Sequence, residues 1–117
     1  MKRIKNIQQE NLIKELKTLA MVENVKLWKR IAIELEKPTR NKRIVNISKI
    51  DKYTKQGDLI IVPGKVLSTG ELTHKVDVCA HSFSETAKSK IQEKGRILSI
   101  KELMKENPKG KGIKIIG

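Results

Sequence analysis

The apolar run Leu59-Ile60-Ile61-Val62, bounded by Gly57 and Pro63, constrains the fold of this chain more than any other stretch. It is too short for a helix and reads as a buried strand. Pro63-Gly64 behind it is a turn signal, in which Gly64 would supply the positive φ of a type II turn. A second strand is expected in "KVDVCAHS", where Val76, Val78 and Ala80 alternate with Asp77, Cys79 and His81. "RILS" gives a brief third strand and "GKGIKIIG" a last one.

Helices surround these strands in the sequence. Leu12, Ile13, Leu16, Leu19 and Ala20 recur at helical spacing from Asn6 onward, with Lys14, Glu15 and Lys17 on the other face. Asn6 and Gln9 resemble a capping box. A second helix from about Asn24 to Glu36 buries Leu27, Trp28, Ile31, Ala32 and Leu35, and Pro38 stops it. The short connection predicts an antiparallel pair. "NISKIDKYTKQG" reads as a short helix with a glycine stop at Gly57. Ser84 can cap a helix carrying Ala87 and Ile91, closed by Gly95. Ser99 and Glu102 form a capping box for another helix, with Leu98 and Leu103 placed as a hydrophobic staple. The class is mixed α/β, with an N-terminal helical hairpin and then short strands and helices. One domain spans 1–117: a hairpin over 1–38, a basic loop over 39–46 and a mixed body over 47–117.

Charge decides the class of partner. The chain of 117 residues has 26 Lys and Arg against 13 Asp and Glu, a formal net charge of +13. Hydrophobic residues make up 38 %, too many for a disordered basic tail. A compact body under that self-repulsion points to a polyanion. No segment approaches the roughly 20 apolar residues that span a membrane, and "MKRIKNIQQENL" lacks the apolar core of a secretory signal. Cys79 is the single cysteine, which fits a reducing cytoplasm.

The cations cluster. Lys37, Arg40, Lys42 and Arg43 crowd into "EKPTRNKRIVN", on a loop between elements expected to be rigid. Lys2, Arg3 and Lys5 form a basic arm. Lys109, Lys111 and Lys114 sit among Gly110 and Gly112, where a flexible backbone could approach a phosphate. Lys65 follows Gly64 and joins the candidates. Lysines on the helix faces (Lys14, Lys17, Lys26, Lys29) read as solvated.

Catalytic constellations are thin. His74 and His81 are seven residues apart, so a shared strand would send them to opposite faces. Cys79 and His81 offer at most two metal ligands where structural zinc needs four. "PGKVLSTG" lacks the spacing of a phosphate loop. No cofactor, metal or small-molecule substrate is implied. Trp28, Tyr53 and Phe83 are the only aromatics, too few for a base-stacking platform. Contacts with phosphates, sugars and the shape of a folded RNA remain.

"LEKPTRNKRIVNISKI", "IIVPGKVLSTGEL" and "VDVCAHSFSETAKSKI" closely resemble the large-subunit ribosomal proteins of the eighteen-e family, found in archaea and eukaryotes and akin to bacterial large-subunit protein fifteen. The resemblance covers nearly the whole chain, and its short length looks archaeal. It implies an α/β domain of irregular β-β-α turns without catalytic role, docked on large-subunit ribosomal RNA among neighbouring ribosomal proteins. It places the family's basic stretch on Lys37, Arg40, Lys42 and Arg43; Thr39 departs from a basic residue there. A free-standing RNA-binding regulator and a small ribonuclease are the rival readings.

Overall fold

The computed structural model describes residues 7–37 and 43–117. The elements run α1 (Ile7–Glu23), α2 (Lys26–Glu36), β1 (Arg43–Asn46), α3 (Ile47–Tyr53), β2 (Asp58–Leu67), β3 (Val76–Phe83), α4 (Glu85–Gln92), β4 (Ile97–Leu98), α5 (Ile100–Glu106) and β5 (Ile113–Ile115). The strands form one sheet in the order β1-β2-β3-β4. β5 also pairs with β2, lying along Leu59–Ile61 while β1 lies along the Gly64–Leu67 half. Every pairing is parallel.

Alternation along the strands builds two cores. Ile60, Val62, Val76, Val78 and Ala80 face one side and pack with Ile47 and Ile50 of α3 and Ala87 and Ile91 of α4. Ile61 and Cys79 face the other, against Leu16, Trp28, Ile31 and Leu35 of the hairpin and Leu103 of α5. Cys79 is fully buried, and desolvation pushes its thiol pKa far up.

The hairpin closes as the sequence suggests. Asn24 takes a left-handed φ of 55°, which a short polar side chain tolerates. The Val25 N–H then bonds back to the Ala20 carbonyl at 3.1 Å, a Schellman-type closure. Ser84 accepts from the Ala87 N–H, and Ser99 with Glu102 makes the expected reciprocal box. The Asn6 cap lies outside the described residues.

Three expectations change. Pro63-Gly64 is no turn: β2 runs through it as a bulge, advancing three residues from Val62 to Lys65 while β3 advances two from Ala80 to Ser82. Proline has no N–H for the ladder, and a bulge absorbs that loss. The basic loop over 39–46 ends early, because Arg43–Asn46 is strand β1. α3 stops at Tyr53 with Thr54 as its cap, before Gly57, whose φ of 86° instead turns the chain into β2.

Residues 68–75 join β2 to β3, which are parallel, so the connection must return the full strand length. Eight residues reach about 26 Å only when nearly extended. The return is pinned throughout. The Ser48 N–H donates to the Thr69 carbonyl (3.0 Å), and the Thr73 N–H and hydroxyl both donate to Asp51 (2.8 Å each). The Lys75 N–H donates to Gln56 (2.8 Å), and Lys90 Nζ donates to the carbonyls of Ser68 and Gly70 (2.9 and 3.0 Å). Gly70 passes so close to α3 that a Cβ would sit 2.5 Å from the Ser48 Cβ, at a φ of 104°. The Thr73 N–H bond, followed by its hydroxyl and then His74, holds the Asp51 carboxyl below its ordinary pKa. A depressed carboxyl contributes stability above its unfolded value and loses it as pH falls through the folded one. Acid titration should therefore release this return only below about pH 4. Protection of the Thr73 amide from hydrogen exchange measures it, and loss of protection near neutral pH would contradict it.

Candidate nucleic-acid interface

Lys65 and the attachment points of two basic segments share one end of the molecule. Ile44 pairs with Lys65 across β1 and β2, and Lys65 with Ser82 across β2 and β3. Their neighbours Val45, Val66 and Phe83 turn into the core under α3 and α4. The row Ile44–Lys65–Ser82 is thereby left exposed, near the carboxyl ends of β2 and β3. Ile44 is 65 % exposed, and Lys65 has no acidic partner among the described residues. Arg43 sits opposite Gly64, one step from Lys65.

The same end holds the roots of both basic segments. Gln9 Nε2, one turn into α1, donates to the Leu35 carbonyl at 3.0 Å, beside the end of α2. Lys2, Arg3 and Lys5 precede that point; Arg40 and Lys42 lie between α2 and β1. These five lie outside the described residues, so only their attachment is fixed. Lys37 is half exposed and pairs with Glu34 at 3.0 Å, which partly neutralises it.

Lys109, Lys111 and Lys114 lie at the opposite end. Trp28 Nε1 donates to the Pro108 carbonyl at 2.7 Å, and Gly110 packs against Val25 and Leu27 at the hairpin tip. The 17 residues of α1 separate the two ends by about 25 Å. The expected flexible glycine–lysine tail is a braced turn. The Asn107 side chain donates to the Lys111 carbonyl (2.8 Å) and accepts from its N–H (3.2 Å), with Gly110 and Gly112 at positive φ. Lys109 and Lys111 remain exposed without acidic partners among the described residues. Lys114 pairs with Asp58 at 3.0 Å, a carboxylate held below its ordinary pKa first by the Lys55 N–H and then by Lys114.

Acidic groups elsewhere brace the fold. Arg96 joins Asp77 and Glu106 (3.4 and 3.2 Å), Lys88 joins Glu85 (3.6 Å) and Lys90 joins Glu71 (3.9 Å). With the carboxylates used this way, the cationic surplus is left to the surface. The sequence signal for the exposed row was Lys65 alone; Ile44 and Ser82 join it only through register.

The structure separates the two histidines. His74 bonds Thr54 (2.8 Å) and lies 3.3 Å from Asp51, on the α3 side. His81 borders a cleft with Gln9, Leu12 and Ser99 on the hairpin side. No group of three metal-ligating side chains forms among the described residues. Changing both histidines to Gln should leave RNA affinity within a few-fold, measured by filter binding. The cost should fall on stability, about 1 kcal/mol from the Thr54 bond. RNA cleavage by the parent chain that disappears in this variant would revive a nuclease.

No helix among the described residues is long and apolar enough to cross a membrane. Residues 11–97 match the family model described as ribosomal proteins 50S-L15, 50S-L18e and 60S-L27A. The chain is 46 % identical over 112 residues to large ribosomal subunit protein eL18 of Methanoregula boonei, covering 95 % of this chain and 93 % of that one. The eL18 protein of Methanococcus maripaludis gives the same identity and coverage. That of Archaeoglobus fulgidus is 50 % identical over 91 residues, 77 % of this chain and 78 % of the other. A match over most of the length, with the bulged "VPGKVL" strand and the capped "FSETAKSKI" helix inside it, places this chain in the ribosomal protein family of 50S-L15, 50S-L18e and 60S-L27A.

Proposed function

We propose that the chain is a structural constituent of the large ribosomal subunit that binds folded ribosomal RNA with the carboxyl-end face of its sheet. The convergence on that face carries the reading. Gln9 and Leu35 bring together the roots of the arm (Lys2, Arg3, Lys5) and of the segment with Arg40 and Lys42, and β1 delivers Arg43 beside Lys65. Cations rooted around a rigid parallel sheet can track several phosphates at once, and the rigid edge supplies the shape fit that helical RNA requires. Lys109 and Lys111 form a second basic point about 25 Å away, suited to a separate phosphate run. Neighbouring ribosomal proteins complete the surroundings.

Sedimentation of a lysate tests the assignment: the chain should appear in large subunits at about one copy each. A population confined to the soluble fraction would favour a free RNA-binding regulator. Lys65→Glu tests the face. If Lys65 neutralises one phosphate, the slope of log affinity against log salt should shrink by about one unit. An unchanged slope would move the face away from β2.

A further inference from the structure

The hairpin of α1 and α2 leaves an aliphatic patch in water. Met21 is 83 % exposed, Val22 75 % and Ile33 49 %, half of the large apolar side chains that stand exposed among the described residues. Two grooves flank α1 at this patch. One, about 560 Å³, lies against α5 over Leu19, Val22 and Met104. The other, about 480 Å³, lies against α2 over Ala20, Met21 and Ile33. Lysines rim both: Lys14, Lys101 and Lys105 the first, Lys17, Lys26 and Lys29 the second. The carboxylates in the two rims, Glu15 and Glu36, each already face a lysine, Lys101 at 4.0 Å and Lys17 at 3.3 Å.

We propose that this face of the hairpin docks an amphipathic segment of a neighbouring protein, one with aliphatic anchors flanked by Asp and Glu. The cationic rim selects the acidic flanks. The aliphatic floor selects a protein over RNA, because folded RNA presents mainly phosphate and ribose, which give Met21, Val22 and Ile33 nothing apolar to bury against. Grooves on both sides of α1 let one segment straddle the helix and set an anchor in each. The patch belongs to the outer side of the hairpin, so the row at Lys65 remains free for RNA. The inference rests on the large-subunit reading only through the particle used to test it.

Cys79 is fully buried, so a maleimide reads only cysteines introduced at the surface. Val22→Cys and Ile33→Cys are each made in the full chain, and their presence in large subunits is measured first; that step tests the earlier assignment alone. Labelling should then be at least tenfold slower in subunits than in the free protein. A photoreactive diazirine tethered at either position should join a protein segment with aliphatic residues between carboxylates. Unchanged labelling, a cross-link to nucleotides, or a cross-link to a segment without carboxylates overturns the proposal.

Discussion

Raising the salt from about 50 to about 200 mM should cost the purified protein roughly three to five decades of affinity for its RNA. That is the loss expected when six to ten phosphates are neutralised. A net charge of +13 supplies the cations, and three aromatic residues in the whole chain cannot supply a stacking term to mask the effect. Changing Arg40, Lys42 and Arg43 together to Gln should flatten the log–log salt plot by roughly two to three units on a duplex-like target. If the three side chains stand in solvent, the melting temperature should hardly move, since exposed substitutions fall within about 0.5 kcal/mol each. Thr39→Ala is the control and should change neither quantity. An unchanged slope in the triple variant would transfer binding to the N-terminal arm and the Lys109–Lys111 turn. A collapsed melting curve would give Arg40, Lys42 or Arg43, the last at the start of β1, a structural role.

What the sequence disclosed about this fold was what short-range physics encodes. Helical spacing located α1 and α2, and Ser84 and the Ser99–Glu102 box marked their helix starts to the residue. "DLIIV" announced a buried strand because no other short element hides four apolar residues in a row. Pro63-Gly64 misled for a physical reason: a bulge and a turn use the same residues, and only the partner strand decides between them. β1 was hidden because "RIVN" has two apolar residues and is a strand only through β2. The parallel pairing of β2 with β3 was equally illegible. An eight-residue link resembles a hairpin loop until Asp51, Gln56 and Lys90 are seen to stretch it along the sheet.

The candidate interface divides along the same line. Composition and clustering picked out the cations, since charge needs no fold to be counted. Their arrangement came from long-range contacts that no local pattern holds. Gln9 to Leu35 fixes at one end the points where two basic segments join the described fold, while Trp28 to Pro108 carries Lys109 and Lys111 to the other. Lys114 looked like a free cation because its partner Asp58 lies far away in sequence and beside it only in the sheet.

Trp28 should prove the most sensitive position in the core. Its side chain is fully buried among Leu16, Ile31, Leu35 and Leu103, and its indole N–H bonds the Pro108 carbonyl at 2.7 Å. Trp28→Ala removes the largest buried side chain and should cost about 3–5 kcal/mol. Against a total of roughly 5–15 kcal/mol that leaves little. Trp28→Phe keeps most of the apolar bulk but leaves the Pro108 carbonyl without its donor, for about 1–3 kcal/mol. Urea melts should rank the parent, Phe and Ala chains in that order, and a Phe variant as stable as the parent would make the bond inconsequential. The Phe variant also reads function, because it loosens the turn bearing Lys109 and Lys111 while leaving Lys65 untouched at the other end. If that turn grips phosphates, its salt slope should fall by about one to two units, with the remaining slope still lowered by Lys65→Glu. If the slope holds at the parent value, the RNA contact belongs wholly to the carboxyl-end face, and the braced turn serves the hairpin.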